Sequence, residues 1–106
     1  MKRLALAALL STSLVAFAQD AEYAIAIKDH KFSPDRIEIP AGKKVKLVVD
    51  NQDSTPEEFE SHSMKVEKVI PGKSKASIFV GPLKAGEYKF VGEFNEKTAK
   101  GVIVAK

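Results

Sequence analysis

The sequence contains no cysteine. Disulfides, thiolate metal ligands and lipidated cysteines are therefore excluded, and packing alone must hold the fold together. Histidine is scarce as well: His30 and His62 are the only two. No cluster of lysine or arginine stands apart from acidic residues, so the chain carries no electrostatic footprint for nucleic acid or for an anionic membrane surface. Repeats, low-complexity tracts and domain linkers are absent too. There is no serine–histidine–acid order, no phosphate-cradling glycine loop and no zinc-type histidine pair, which removes the common hydrolytic and nucleotide-binding classes.

Only one long apolar run exists, Leu4 to Val15, interrupted by Ser11, Thr12 and Ser13 and preceded by the basic head Met1-Lys2-Arg3. It falls short of the roughly 20 residues that a membrane span needs. Ala16-Phe17-Ala18 fits the small-x-small rule of signal peptidase, so residues 1–18 read as a secretory signal and cleavage is predicted before Gln19. The predicted product is periplasmic, with no membrane insertion after cleavage. Removing 18 residues from 106 leaves a single domain of 88, residues 19–106, with 15 basic and 14 acidic side chains. A chain of that size only just supports a core of its own, which favours a two-layer fold.

Beyond residue 19 the apolar residues recur with a period of two. Tyr23, Ile25 and Ile27 alternate with small or polar neighbours, as do Ile37 with Ile39, Val45 with Leu47 and Val49, and Tyr88 with Phe90. Val66 to Ile70, Ala76 to Val80 and Gly101 to Ala105 complete seven predicted strands, separated by turns such as Pro40-Ala41-Gly42 and Pro71-Gly72. Asp29 to Pro34 reads as a connection with Phe32 tucked inward, and Asn51 to Ser61 as a long polar loop. Helix is expected only as a turn around Glu96 to Lys100. The fold class is all-β, a Greek-key sandwich of about seven strands.

Ile39-Pro40-Ala41-Gly42 before a strand, Asp50-Asn51 ending one, and Leu83-Lys84-Ala85-Gly86-Glu87-Tyr88-Lys89-Phe90 near the end resemble the cupredoxins. More narrowly, Pro56-Glu57-Glu58-Phe59-Glu60-Ser61-His62 and Gly92-Glu93-Phe94 are similar to the cupredoxin-like domains found beside bacterial iron-permease uptake systems. The resemblance spans essentially all of the chain after the signal. It implies copper or iron as the bound ion, and a membrane iron permease or another periplasmic metal-handling protein as partner. Blue-copper members of the group place cysteine, histidine and methionine in the last loop. Here the corresponding positions hold Gly92, Asn95 and, near the third, Lys100, and without a thiolate a blue-copper centre is excluded. The iron-associated pattern implies a histidine where this chain has Asn95.

The remaining candidate ligands gather around His62. Glu58, Glu60 and Met64 are its sequence neighbours, and the fold implied by the resemblance brings Glu93 to the same end. Imidazole with carboxylates suits Cu(II), zinc or iron, while a thioether adds affinity for Cu(I). A glutamate-rich loop is most often merely solvated, and Met64 could equally open the strand through Val66. His30 is the reserve ligand, although a lone histidine in a connection is usually just a partly exposed hydrogen-bonding residue. Three functional classes follow. The first is an exported carrier or accessory protein for copper or iron, and the second a metal-free domain that docks to a membrane transport complex. The third, an Fe(II) oxidase component, ranks last because one mononuclear site does not dispose of the four electrons that oxygen takes. No catalytic residues are expected.

Overall fold

A computed structural model describes residues 20–106, so the predicted signal and its cleavage site lie outside the described residues. Nine strands form: β1 (Ala21–Lys28), β2 (Lys31–Ser33), β3 (Arg36–Ile39), β4 (Val45–Asn51), β5 (Glu57–Ser61), β6 (Val66–Ile70), β7 (Ser74–Val80), β8 (Gly86–Gly92) and β9 (Lys100–Ala105). They build two mixed sheets, one ordered β2-β1-β4-β7 and the other β3-β9-β8-β5-β6. Two pairings are parallel, β1 with β4 and β3 with β9.

The period of two decides which side chains meet between the sheets. Ile25 and Ile27 of β1, Val45, Leu47 and Val49 of β4, and Ile78 and Val80 of β7 form one inner face. Ile37, Ile39, Phe59, Ile70, Phe90, Ile103 and Ala105 form the other. Each large side chain withdrawn from water in this way contributes about 1.5–3 kcal/mol. Phe32 does tuck inward, and its ring meets those of Phe90 at 4.9 Å and Phe59 at 5.9 Å, both edge-on. Asn51 is fully buried at the end of β4, where its side-chain amide donates to the carbonyls of Thr55, Ile70 and Pro71 and fixes the loop that leads into β5.

Three expectations are corrected. The sandwich has nine strands rather than about seven, because two segments read as connections pair with neighbours. Lys31–Ser33 makes a hairpin with β1 through a two-residue turn at Asp29 and His30, both in the left-handed region. Glu57–Ser61 pairs with β6 over its whole length, so the long polar loop ends at Pro56. The only helical turn among the described residues is a 3-10 turn at Glu93–Asn95, earlier than expected; the Glu57 carboxylate accepts hydrogen bonds from its Phe94 amide and Asn95 side chain.

Candidate metal centre

β5 carries the site, and its burial pattern explains both its chemistry and its disguise. Residues 57, 59 and 61 face inward and residues 58 and 60 outward. Phe59 stacks on Phe90 at 4.8 Å, which anchors the strand to the core. On either side of it, two polar residues are buried with their partners supplied. Ser61 Oγ donates to the carbonyl of Lys89 at 2.7 Å. Glu57, 1% exposed, accepts at Oε1 from the amides of Glu58 (3.0 Å) and Phe94 (2.9 Å), and at Oε2 from the Asn95 side chain (2.7 Å). The loop after β8 is thereby tied to β5, which places Glu93 beside the outward residues Glu58 and Glu60.

One oxygen from each of Glu58, Glu60 and Glu93 lies within 4.8 Å of the others. Glu67 on β6 stands directly opposite Glu60 in the ladder and adds a fourth carboxylate. Glu58 is 8% exposed, and its Oε1 is buried without a hydrogen-bond partner. Its neighbours are carboxylates, which offer no donor unless a proton is shared between two of them. For that reason Glu58 is pushed up to about 7, first by sharing a proton with Glu67, then by burial and by Glu93. Glu60 is raised as well, chiefly by Glu93 and by burial, with the positive field of His62 acting the other way.

The expected ligands separate on this framework. Glu58, Glu60 and Glu93 come together. His62 places Nε2 at 3.2 Å from Glu60 Oε1 but is itself 94% exposed. Met64 packs against the hydrophobic core, its amide donating to Ser61 Oγ, and stands outside this group. His30 sits on the β1–β2 turn, with Nε2 3.4 Å from Thr55 Oγ1. The amides of His30 and Asp29 donate to Asp53, and the first of these is the main reason that the Asp53 carboxyl lies below its ordinary value. His30 and Glu93 border the same notch of ≈ 530 Å³, on the far side of Glu93 from the carboxylates. Sequence reading missed Glu67, whose place opposite Glu60 depends on the register of the β5–β6 hairpin. The cluster occupies the outer face of the five-stranded sheet rather than an open loop end.

A sequence model for the cupredoxin-like domain matches residues 3–105. The chain belongs to the cupredoxin-like domain family. It is 43% identical over 83 residues to the uncharacterized protein RP394 of Rickettsia prowazekii (strain Madrid E), an alignment that covers 78% of this chain and 66%, just under two thirds, of that protein. Among solved structures it resembles a copper binding protein in the apo form, with a TM-score of 0.70 at 18% identity over 80% of this chain and 86% of that one. Auracyanin A, a "blue" copper protein from Chloroflexus aurantiacus, superimposes with a TM-score of 0.68 at 12% identity over 83% of this chain and all of its own. The metal binding domain of the Streptococcus pneumoniae D39 Cu(I)-exporting P-type ATPase CopA does so with 0.68 at 15% identity, over 80% and 84% of the two chains. At these identities the likeness establishes the fold.

The copper position of blue cupredoxins does not fit this chain. A Cβ added to Gly92 would lie 2.6 Å from Glu57 Cδ and 2.7 Å from Ala99 Cβ, so the space a cysteine side chain needs is filled by the Glu57 carboxylate and its partners. Asn95, at the histidine position, is spent on holding that carboxylate. In this cupredoxin-like protein the loop end is a closed hydrogen-bonded knot, and the unsatisfied donor atoms lie on the sheet face beside it.

Proposed function

We propose that this protein is an exported metal-binding module whose ion is held by Glu58, Glu60 and Glu93, with Glu67 and His62 at the rim, and that it serves iron uptake as a carrier or accessory in the periplasm. The observation that carries the reading is Glu58 Oε1: a buried acceptor without a partner, facing two further carboxylates within 4.8 Å. A cation supplies what hydrogen bonding leaves out. Between copper and iron, the donor set favours iron, because carboxylates suit hard ions and imidazole suits iron, whereas Cu(I) calls for thiolate or thioether. The one nearby thioether, Met64, is committed to the core.

Calorimetric titration with Fe(II), Fe(III) presented as a weak chelate, Cu(II) and Cu(I) tests this. Iron is expected to bind with one-to-one stoichiometry and Cu(I) least well. Glu60→Gln and Glu93→Gln should weaken binding by roughly tenfold or more, given that outer-shell partners alone are worth about 10–100-fold in metal affinity. Wild-type protein that binds none of these ions would leave the second reading, a metal-free docking domain, for which Phe94 and Val69, both half exposed at the edges of the cluster, would be the contact residues.

A further inference from the structure

His62 differs from the carboxylates beside it in every physical respect. Glu58 is almost wholly buried and the Glu60 side chain is 15% exposed, yet the His62 side chain is 94% exposed. Its backbone is held on a tight hairpin: the Lys65 amide donates to the His62 carbonyl, Lys65 adopts φ 56°, and Ser61 Oγ both receives the Met64 amide and reaches the Lys89 carbonyl. The ring, by contrast, has room on both sides. It stands between two open notches of ≈ 350 Å³ and ≈ 340 Å³, the first bordered by Lys89 and Val91 and the second by Lys65 and Glu67, and both also by Glu60. A fixed stem with a free ring, resting on one oxygen of the carboxylate cluster, is the geometry of a swinging ligand.

We infer that His62 is the exchange ligand of the site, meeting the ion at the surface and passing it to and from the buried carboxylates while adding little to its equilibrium affinity. This rests on the metal-binding reading above. In the metal-free protein the imidazole occupies Glu60 Oε1 at 3.2 Å. An entering ion displaces it from that oxygen and receives an imidazole nitrogen in return, so one contact is lost for each one formed and the equilibrium balance is small. The kinetic effect does not cancel, because the ring is the only donor of the group that reaches bulk water without moving the sheet.

The test is stopped-flow loading of the full metal-free protein with Fe(II), and removal of Fe(II) by a chelator such as ferrozine, for wild type, His62→Ala and Glu60→Gln. For His62→Ala both rates are expected to fall together by about tenfold, the worth of one charge-assisted contact, with Kd within about threefold of wild type. Nitrogen chemical shifts of the His62 ring should change on loading as the nitrogen that faced Glu60 becomes coordinated. Unchanged rates, or a rise in Kd as large as that of Glu60→Gln, would overturn the inference while leaving the site intact. Wild-type protein that takes up no Fe(II) would remove the metal-binding reading and this inference with it.

Discussion

Replacing Glu57 by alanine isolates the architecture of the site from its ligands, because Glu57 lies beneath the cluster and does not belong to it. The substitution leaves the amides of Glu58 and Phe94 and the Asn95 side chain without their shared acceptor. It also opens a void beside Gly92, whose backbone packs against the carboxylate. Hydrogen bonds to a charged group are worth about 1.5–3 kcal/mol each. Phe94 is half exposed and its amide can recover water, so the net loss is set at about 3 kcal/mol, roughly one full bond with part of another and part of the void. A domain this size has about 4–13 kcal/mol in all, and such a loss lowers Tm by about 12–24 °C. Glu57→Gln keeps one oxygen for the two amides, and a turn of the Asn95 amide can meet its new N–H, so a loss of about 1 kcal/mol is expected. Thermal unfolding followed by far-UV circular dichroism measures both. Metal affinity should also fall in Glu57→Ala, since Glu93 is placed by the loop that Glu57 anchors. If alanine and glutamine variants unfold alike, within about 0.5 kcal/mol of wild type, the knot does not hold the loop and the argument fails.

Three further outcomes follow from the same structure. Glu58 is raised from 4.5 to about 7, so between those values the folded protein holds a proton that the unfolded chain has released; metal-free stability should therefore fall as pH rises from 5 to 8, and Glu58→Gln should flatten that slope in denaturant titrations at fixed ionic strength. Phe90→Ala should cost about 3–5 kcal/mol and Lys89→Ala well under 1 kcal/mol, because Phe90 is buried between Phe32 and Phe59 while Lys89 is exposed. Gly92→Cys should not restore a blue-copper centre: with Glu57 Cδ 2.6 Å from the new Cβ, about 1–3 kcal/mol of stability is lost and added Cu(II) gives no intense blue absorption, the appearance of which would show that the Glu57 knot yields to a thiolate.

Much of the architecture is legible in the sequence wherever one face of a strand is apolar. Ile25 with Ile27, Ile37 with Ile39, and Val45 with Leu47 and Val49 announce their strands because the period of two and the burial coincide. The segment Glu57–Ser61 conceals itself for the opposite reason. Its inward face is Glu57, Phe59 and Ser61, of which only Phe59 is apolar, so alternation of hydrophobicity vanishes although alternation of burial persists. What replaces hydrophobicity there is hydrogen bonding to residues about thirty to forty positions away, Lys89, Phe94 and Asn95, and no local pattern carries that. Glu58, Glu60, Glu93 and His62 could be named from the resemblance, but the division between buried carboxylates and an exposed imidazole depends on register.

Glu57 and Glu58 are neighbours on one strand, of one residue type, both buried. Glu57 has three donors. Glu58 has an oxygen with none, the only such side-chain atom among the described residues, and faces more carboxylates. The ladder compounds the cost by setting Glu60 directly against Glu67, an arrangement of like charges that destabilises a strand pair. A fold capable of satisfying Glu57 so completely has no difficulty burying polar groups well, so the unsatisfied oxygen and the opposed charges, confined to one patch, are not a general looseness of packing. Local rules are broken in this way where a ligand completes the balance. A cation held between Glu58, Glu60 and Glu93 removes all of the conflicts at once: it supplies a partner for Glu58 Oε1, screens Glu60 from Glu67, and leaves the Glu57 knot untouched beneath it.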